Sequence, residues 1–138
     1  MLDIKTNQFV HYKNNPASSK SLSSNFIRVI LKDSQHNLWI GTTGGGLNLF
    51  NKNDKTFTRF LHNDNDSASL SHNNVYSMFE DSKHRLWIGT NRGGLNLFNR
   101  ATSKFIQFKN DARNRQPLGN TQVPAIAEGK LHNMWVGT

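Results

Sequence analysis

Short alternations of apolar and polar residues, broken every few positions by Gly, Asn, Asp or Ser, run along the whole chain. The run from Asn73 to Phe79 predicts a short strand with Val75, Ser77 and Phe79 on one face. Asp81-Ser82-Lys83-His84-Arg85 is polar turn material, and Asp33-Ser34-Gln35-His36-Asn37 is its counterpart. Leu86 to Thr90 reads as a second strand. Asn91-Arg92-Gly93-Gly94 turns into a third, Leu95-Asn96-Leu97-Phe98, whose leucines share one face. Another turn, Asn99 to Ser103, precedes a fourth strand, Lys104 to Phe108, and the polar segment Lys109 to Asn120 leads onward. Long stretches at helical spacing are absent, and the many Gly, Asn and Ser residues oppose helices.

The same unit recurs. Leu38-Trp39-Ile40-Gly41-Thr42 returns as Leu86-Trp87-Ile88-Gly89-Thr90 and, conservatively changed, as Met134-Trp135-Val136-Gly137-Thr138. Each step is 48 residues, and Asp33 to Asn51 matches Asp81 to Asn99 at 15 of 19 positions. Other columns keep the register: Phe9, Phe57, Phe105; Tyr12, Phe60, Phe108; Leu22, Leu70, Leu118; Ile27, Val75, Val123. Four short strands per unit, separated by turns, are the pattern of a β-propeller blade. The expected fold is all-β, a β-propeller fragment of four-stranded antiparallel blades with a 48-residue repeat. Residues 1–12 form the end of a blade, 25–60 and 73–108 two blades, and 121–138 the first half of another. Met1-Leu2 falls opposite Leu49-Phe50, so the expectation is a piece of a longer propeller, cut inside blades at both ends. Such a piece does not close by itself, and its end faces call for the remaining blades of a longer chain or a second copy.

Composition narrows the class. A chain of 138 residues has room for one ordinary domain, not for a sensor plus an enzyme module. With 35% hydrophobic residues it is too polar for a membrane protein, yet too rich in Trp, Phe, Leu and Ile for a disordered one. No run approaches the ~18 apolar residues of a spanning helix, and Met1 to Val10 carries no apolar signal-peptide core. No membrane contact by this segment is expected. The absence of Cys excludes disulfide frameworks, thiolate zinc sites and thiol nucleophiles.

Four features invite chemistry. Trp39, Trp87 and Trp135 are candidates for a sugar-stacking platform, but one repeat position inside a strand, beside a Gly, favours the wedge between adjacent blades. His36, His84 and His132 are also 48 apart; equivalent turns on successive blades stand too far apart for one metal centre. His is enriched at positive φ, so the turn accounts for it, and neither metal nor cofactor is expected. Gly45-Gly46 and Gly93-Gly94 precede a strand rather than a helix, which fits a turn or bulge and not a phosphate loop. Asn63-Asp64-Asn65-Asp66-Ser67 has the look of a calcium loop without its Gly and distal Glu, so it reads as an exposed inter-blade loop. Leu22, Leu70 and Leu118 are expected to pin such loops onto the sheets.

The 17 basic residues against 9 acidic ones give a net charge of +8. They scatter through turns, the densest group being Lys109, Arg113 and Arg115, without the interleaved exposed aromatics that single-strand binding requires. A solvated surface or an anionic polysaccharide fits this charge, and no nucleic-acid partner is expected. No Ser-His-Asp arrangement, nucleophile elbow or close carboxylate pair stands out, so no catalytic residue is assigned.

The run Asp81-x-x-x-x-Leu86-Trp87-Ile88-Gly89-Thr90-x-x-Gly93-Gly94-Leu95, followed by Phe105 and Phe108, resembles the two-component regulator propeller repeat. That family fills the extracytoplasmic sensor regions of bacterial hybrid histidine kinases. The resemblance implies a periplasmic or other extracytoplasmic location and a non-catalytic sensing role. It further implies an oligosaccharide ligand bound by polar loops at one propeller face, and a signal to a kinase not present in this chain. The candidate ligand-binding residues are Arg28, Tyr76, Asn91 and Arg92; Arg28 and Tyr76 share a repeat column with Pro124. A protein-interaction scaffold and, behind it, a propeller lyase are the alternatives.

Overall fold

The computed structural model describes residues 1–109 and 118–138, and all twelve elements of the described residues are β-strands. They are β1 (Leu2–Asp3), β2 (Gln8–Phe9), β3 (Ile27–Lys32), β4 (Leu38–Thr42), β5 (Leu47–Asn51) and β6 (Thr56–Phe60). Then follow β7 (Val75–Glu80), β8 (Leu86–Thr90), β9 (Leu95–Asn99), β10 (Lys104–Phe108), β11 (Ala125–Glu128) and β12 (Met134–Gly137). Strands β3 to β6 form one four-stranded antiparallel meander and β7 to β10 a second; β1–β2 and β11–β12 are two-stranded. Arg113 and Arg115 lie outside the described residues.

The turns explain where the strands stop. His36, His84 and His132 adopt φ of 64°, 59° and 56°, the left-handed region anticipated from their shared position. In each full blade the preceding Asp closes the turn: Asp33 Oδ1 accepts the Asn37 N–H at 2.8 Å, and Asp81 Oδ1 the Arg85 N–H at 2.9 Å. His84→Gly should leave stability within about 0.5 kcal/mol of the parent, whereas His84→Val should cost about 1–2 kcal/mol, because a β-branched side chain resists positive φ. Urea midpoints of both variants check this. At the opposite end Gly46 (φ 66°) and Gly94 (φ 76°) immediately precede the third strands, and a Cβ there would collide with the carbonyl oxygens of Phe60 and Phe108.

The two full blades pack face to face. Trp39, Leu47, Leu70, Val75, Met78, Leu86, Ile88, Phe98 and Phe105 form one buried cluster between them. Trp39 is 1% exposed and meets Phe98 edge-on with ring centroids 5.1 Å apart. Gly41 gives Val75 room to approach, since a Cβ at Gly41 would overlap it. On the far side of the second blade, Trp87, Leu95 and Val123 begin a further cluster with β11 and β12. The wedge reading of the tryptophans thus holds for Trp39 and Trp87, while Trp135 is 69% exposed. Leu22 and Leu70 are buried and Leu118 is half-buried against the third cluster, so these leucines do fasten the loops.

One facial assignment is corrected. Val75, Ser77 and Phe79 do not share a face, because the β7–β8 register shifts between Val75 and Ser77. The bulge sends Val75 with Met78 toward the first blade, while the Ser77 hydroxyl donates to Val123 O at 2.8 Å on the other side and Phe79 follows it. The strand also starts at Val75, not Asn73, since the Asn73 and Asn74 carbonyls accept from Gly46 and Asn91.

Polar staples join neighbouring blades at the end that carries the Asp turns. Glu80 Oε2 accepts the Ser34 N–H at 2.7 Å and its Oε1 accepts the Ser34 hydroxyl at 2.9 Å. One repeat later Glu128 holds Ser82 in the same way. Arg100 of the second blade donates to Asp33 at 2.8 Å and to Glu80 at 2.9 Å.

A candidate ligand-binding face

The strand registers place the starts of β3 and β7, the β4–β5 and β8–β9 turns, and the ends of β6 and β10 at one end of the blades. All four sequence candidates lie at this loop face. Arg28 stacks its guanidinium over the Tyr76 ring, 4.5 Å from the centroid, so residues of one repeat column on adjacent blades touch each other. A guanidinium stacked through its face keeps its N–H donors directed outward at its edge. The stack itself contributes about 0.5–1 kcal/mol at an exposed site.

Asn91 and Arg92 occupy the β8–β9 turn, where the Asn91 N–H donates to Asn74 O at 2.9 Å. Arg92 is exposed with φ 71° and borders a polar cleft of about 360 Å³ with His62, Asp64, His72, Gln107 and Lys109. That cleft does not include Arg28, Tyr76 or Asn91, so the four candidates share a face rather than one pocket. Burial, together with the charges of His62 and Arg92, holds His72 below the usual imidazole range. Its Nδ1 accepts the Asn74 N–H at 3.0 Å, which also favours the neutral ring. His62 faces acceptors with both nitrogens, Leu70 O at 2.8 Å and Asp64 Oδ1 at 2.9 Å. Asp66 instead pairs with Lys104 at 2.7 Å, so the carboxylates of the Asn63–Ser67 run turn to separate partners and not to a common centre.

Sequence reasoning missed Phe26. Its ring is 74% exposed at this face, and its carbonyl accepts the Thr43 N–H of the β4–β5 turn at 2.9 Å. Gly44 N–H then donates to Asn74 Oδ1 at 2.6 Å, linking that turn to the next blade. The signal was present in the repeat: Phe26 aligns with Asn74 and Gln122, a variable column beside the regular Ile27, Val75, Val123 column. Asn91 and Arg92 likewise stand where the first blade has Thr43 and Gly44, two of the four mismatches in the 19-residue match. Asn48 and Asn96 also escape sequence reasoning, which singles out only the leucines around them. Each is fully buried and pairs through both amide atoms with a loop serine, Ser23 or Ser71, which fixes the loop that carries the face.

The face therefore offers an exposed aromatic ring, an Arg–Tyr stack and a second guanidinium on a sheet scaffold. That set can stack on a sugar ring and hydrogen-bond or ion-pair to its substituents. No group of three or more metal-ligating side chains converges among the described residues.

The family profile described as two component regulator propeller matches residues 21–44 and 69–92. No curated protein matches the chain. Among solved structures, the extracellular domain of the protein described as hybrid two component system BT3049 from B. thetaiotaomicron is similar at 26% identity and TM-score 0.59, over 99% of this chain and 22% of that one. The extracellular domain of BT4673 from the same organism, described in one structure as a one component system, is similar at 25% identity and TM-score 0.71, over 99% of this chain and 17% of that one. A second BT4673 structure, described as a hybrid two component system, shows the same fold at 23% identity and TM-score 0.69, over 90% of this chain and 17% of that one. The chain thus spans about a fifth of the solved chains it matches. Repeats in 48-residue register and four-stranded blades agree with these likenesses: residues 21–44 and 69–92 are similar to the two component regulator propeller repeat, and the sheets are those of propeller blades.

Proposed function

We propose that this chain is a ligand-sensing propeller segment of a hybrid two-component regulator, located outside the cytoplasm, that binds a saccharide at its loop face and thereby regulates a kinase not contained in it. The observation that carries this reading is the Arg28–Tyr76 stack, because it spans two adjacent blades at the face where the repeat columns vary. Buried columns such as Trp39/Trp87 and Asn48/Asn96 repeat without change, whereas Phe26/Asn74/Gln122 and Arg28/Tyr76/Pro124 do not. Variation at the loop end of a repeated scaffold is how a fold acquires a specific ligand. A ligand held by both Arg28 and Tyr76 favours whichever blade arrangement keeps them together. A tenfold preference for that arrangement is worth ~1.4 kcal/mol of bias toward it.

The positive charge of the face selects the ligand class. In a calorimetric screen of neutral and acidic oligosaccharides, acidic ones should bind more tightly, with affinity falling as salt rises. Tyr76→Ala and Arg28→Ala should each weaken binding by about tenfold, equivalent to ~1.4 kcal/mol, while the thermal midpoint moves little. Acidic oligosaccharides that bind both variants as well as the parent would refute the site. Tight, salt-dependent duplex DNA binding with no saccharide hit would replace the reading with a nucleic-acid one.

A further inference from the structure

We propose that the polar cleft over the second blade is an oxyanion site, in which Arg92, His72 and Lys109 hold a carboxylate or sulfate carried by the ligand. The sugar that carries this group rests on the saccharide reading above; the oxyanion site does not. The described residues that line the cleft run from His62 to Lys109, over the blade that has neighbours on both sides.

The loops leading into β3 and β7 are built alike. Ser21 Oγ accepts the Asn15 N–H at 2.8 Å, and Ser69 Oγ accepts the Asn63 N–H at 3.0 Å. Leu22 O lies 2.8 Å from Asn14 Nδ2, and Leu70 O lies 2.8 Å from His62 Nδ1. Ser24 Oγ accepts the Phe26 N–H at 3.2 Å, as His72 Nδ1 accepts that of Asn74 at 3.0 Å. On this common frame three positions turn basic. Ser24, Gly44 and Leu61 of the first repeat become His72, Arg92 and Lys109 of the second, and all three line the cleft of about 360 Å³.

Arg92 makes the case strongest. Gly44 has φ 80° and Arg92 φ 71°, so the turn needs the left-handed region, yet the second blade fills it with arginine. A side chain there carries a backbone cost that glycine avoids, and such strain persists at positions that serve a ligand. Gly93 seats this turn on the loop, since a Cβ there would overlap Ser71 Oγ and His72 Cβ.

The donors suit an oxyanion. Because His72 Nδ1 accepts, the neutral ring bears its proton on Nε2 as a donor. Arg92 supplies a planar fork that matches two oxygens of a carboxylate or sulfate, and Lys109 a third cationic donor. Both carboxylates of the lining already have partners, Asp64 in His62 at 2.9 Å and Asp66 in Lys104 at 2.7 Å. Arg28 and Tyr76 lie outside the cleft, so ring and charge are read at separate places on one face.

The test titrates sodium sulfate into the purified 138-residue chain, replacing chloride so that ionic strength stays constant, and follows the His72 ring by NMR. Sulfate should move the ring resonances and raise the His72 titration midpoint, because a nearby anion favours imidazolium. The charged and titratable groups sharing the cleft with that ring are His62, Asp64 and Asp66 of its own loop, Arg92 of the β8–β9 turn and Lys109 after β10. Arg92→Gly installs the first repeat's residue and relieves the backbone. It should be at least as stable as the parent, yet bind sulfate at least about tenfold more weakly. His72→Ser, which keeps an acceptor for the Asn74 N–H, should also weaken binding. Lys83→Ala, at the opposite end of the blade, should not. Competition then names the source: galacturonate displaces sulfate if the ligand's anion is a carboxylate, glucose 6-sulfate if it is a sulfate ester, and glucose displaces nothing. Displacement by neither acidic sugar would keep the oxyanion site and count against a saccharide carrier. A ring indifferent to sulfate, or an Arg92→Gly protein that binds it as tightly as the parent, would overturn the site even where acidic oligosaccharides bind at Arg28 and Tyr76.

Discussion

Trp39→Ala is expected to destabilise the chain by about 3–5 kcal/mol, and Trp135→Ala, at the same repeat position, by less than about 0.5 kcal/mol. Trp39 is 1% exposed, and its ring lies against Phe60 and Phe98 at centroid distances of 5.9 and 5.1 Å. Truncation opens a void between two sheets that are held apart by strands and cannot collapse freely onto it. It also takes away the Nε1–H that donates to Asp33 Oδ2 at 2.8 Å, leaving that buried carboxylate one partner short. Trp87, 7% exposed with the same bond to Asp81, belongs near Trp39 in this ladder. Urea midpoints, measured dilute enough that no association contributes, read the series directly. A Trp39→Ala protein as stable as its parent, but blind to saccharides, would make this column a ligand platform and not a core.

The contrast shows what repetition in a sequence reports. The 48-residue period reports the wedge between blades because both full blades present the same faces, so Trp39, Leu47 and Val75 are legible as core from their columns alone. It also reports the backbone demand at His36, His84 and His132, since a residue type tolerant of positive φ returns at one turn. The bulge at Tyr76 is not legible. An alternation count assumes one residue per step, and a single extra residue moves Val75 and Ser77 to opposite faces without changing the sequence pattern. The loop face is harder still, because its residues do not repeat. Arg28 and Tyr76 stand out as differing members of a column, yet their contact arises only when two blades are brought side by side. Phe26 escapes because an exposed aromatic next to an apolar strand reads as the first residue of that strand.

Acidification should unfold the chain in a range set by its Asp turns. Burial pushes the Asp33 carboxyl up, but hydrogen bonds from Trp39, Asn37 and Arg100 together outweigh it and bring its pKa down to about 2 from the usual 3.8. Asp81 moves in the same direction, with burial again opposed by bonds from Trp87 and Arg85. A carboxyl whose folded pKa lies below its unfolded value stabilises the fold fully above the unfolded value. The contribution is therefore intact above about pH 4 and is lost as the pH falls from 3.8 toward 2. For Asp33 the gap is 3.8 − 2 = 1.8 pH units, which at 1.36 kcal/mol per unit is about 2 kcal/mol. Asp33→Asn keeps the side-chain shape but removes the charge that Arg100 pairs with. That variant should be less stable at pH 7 and should lose less on going from pH 5 to pH 2 than the parent does. Urea midpoints across that range decide it: a parent whose midpoint stays level down to pH 2, or an Asp33→Asn variant with an undiminished slope, would show that this carboxylate does not join the blades.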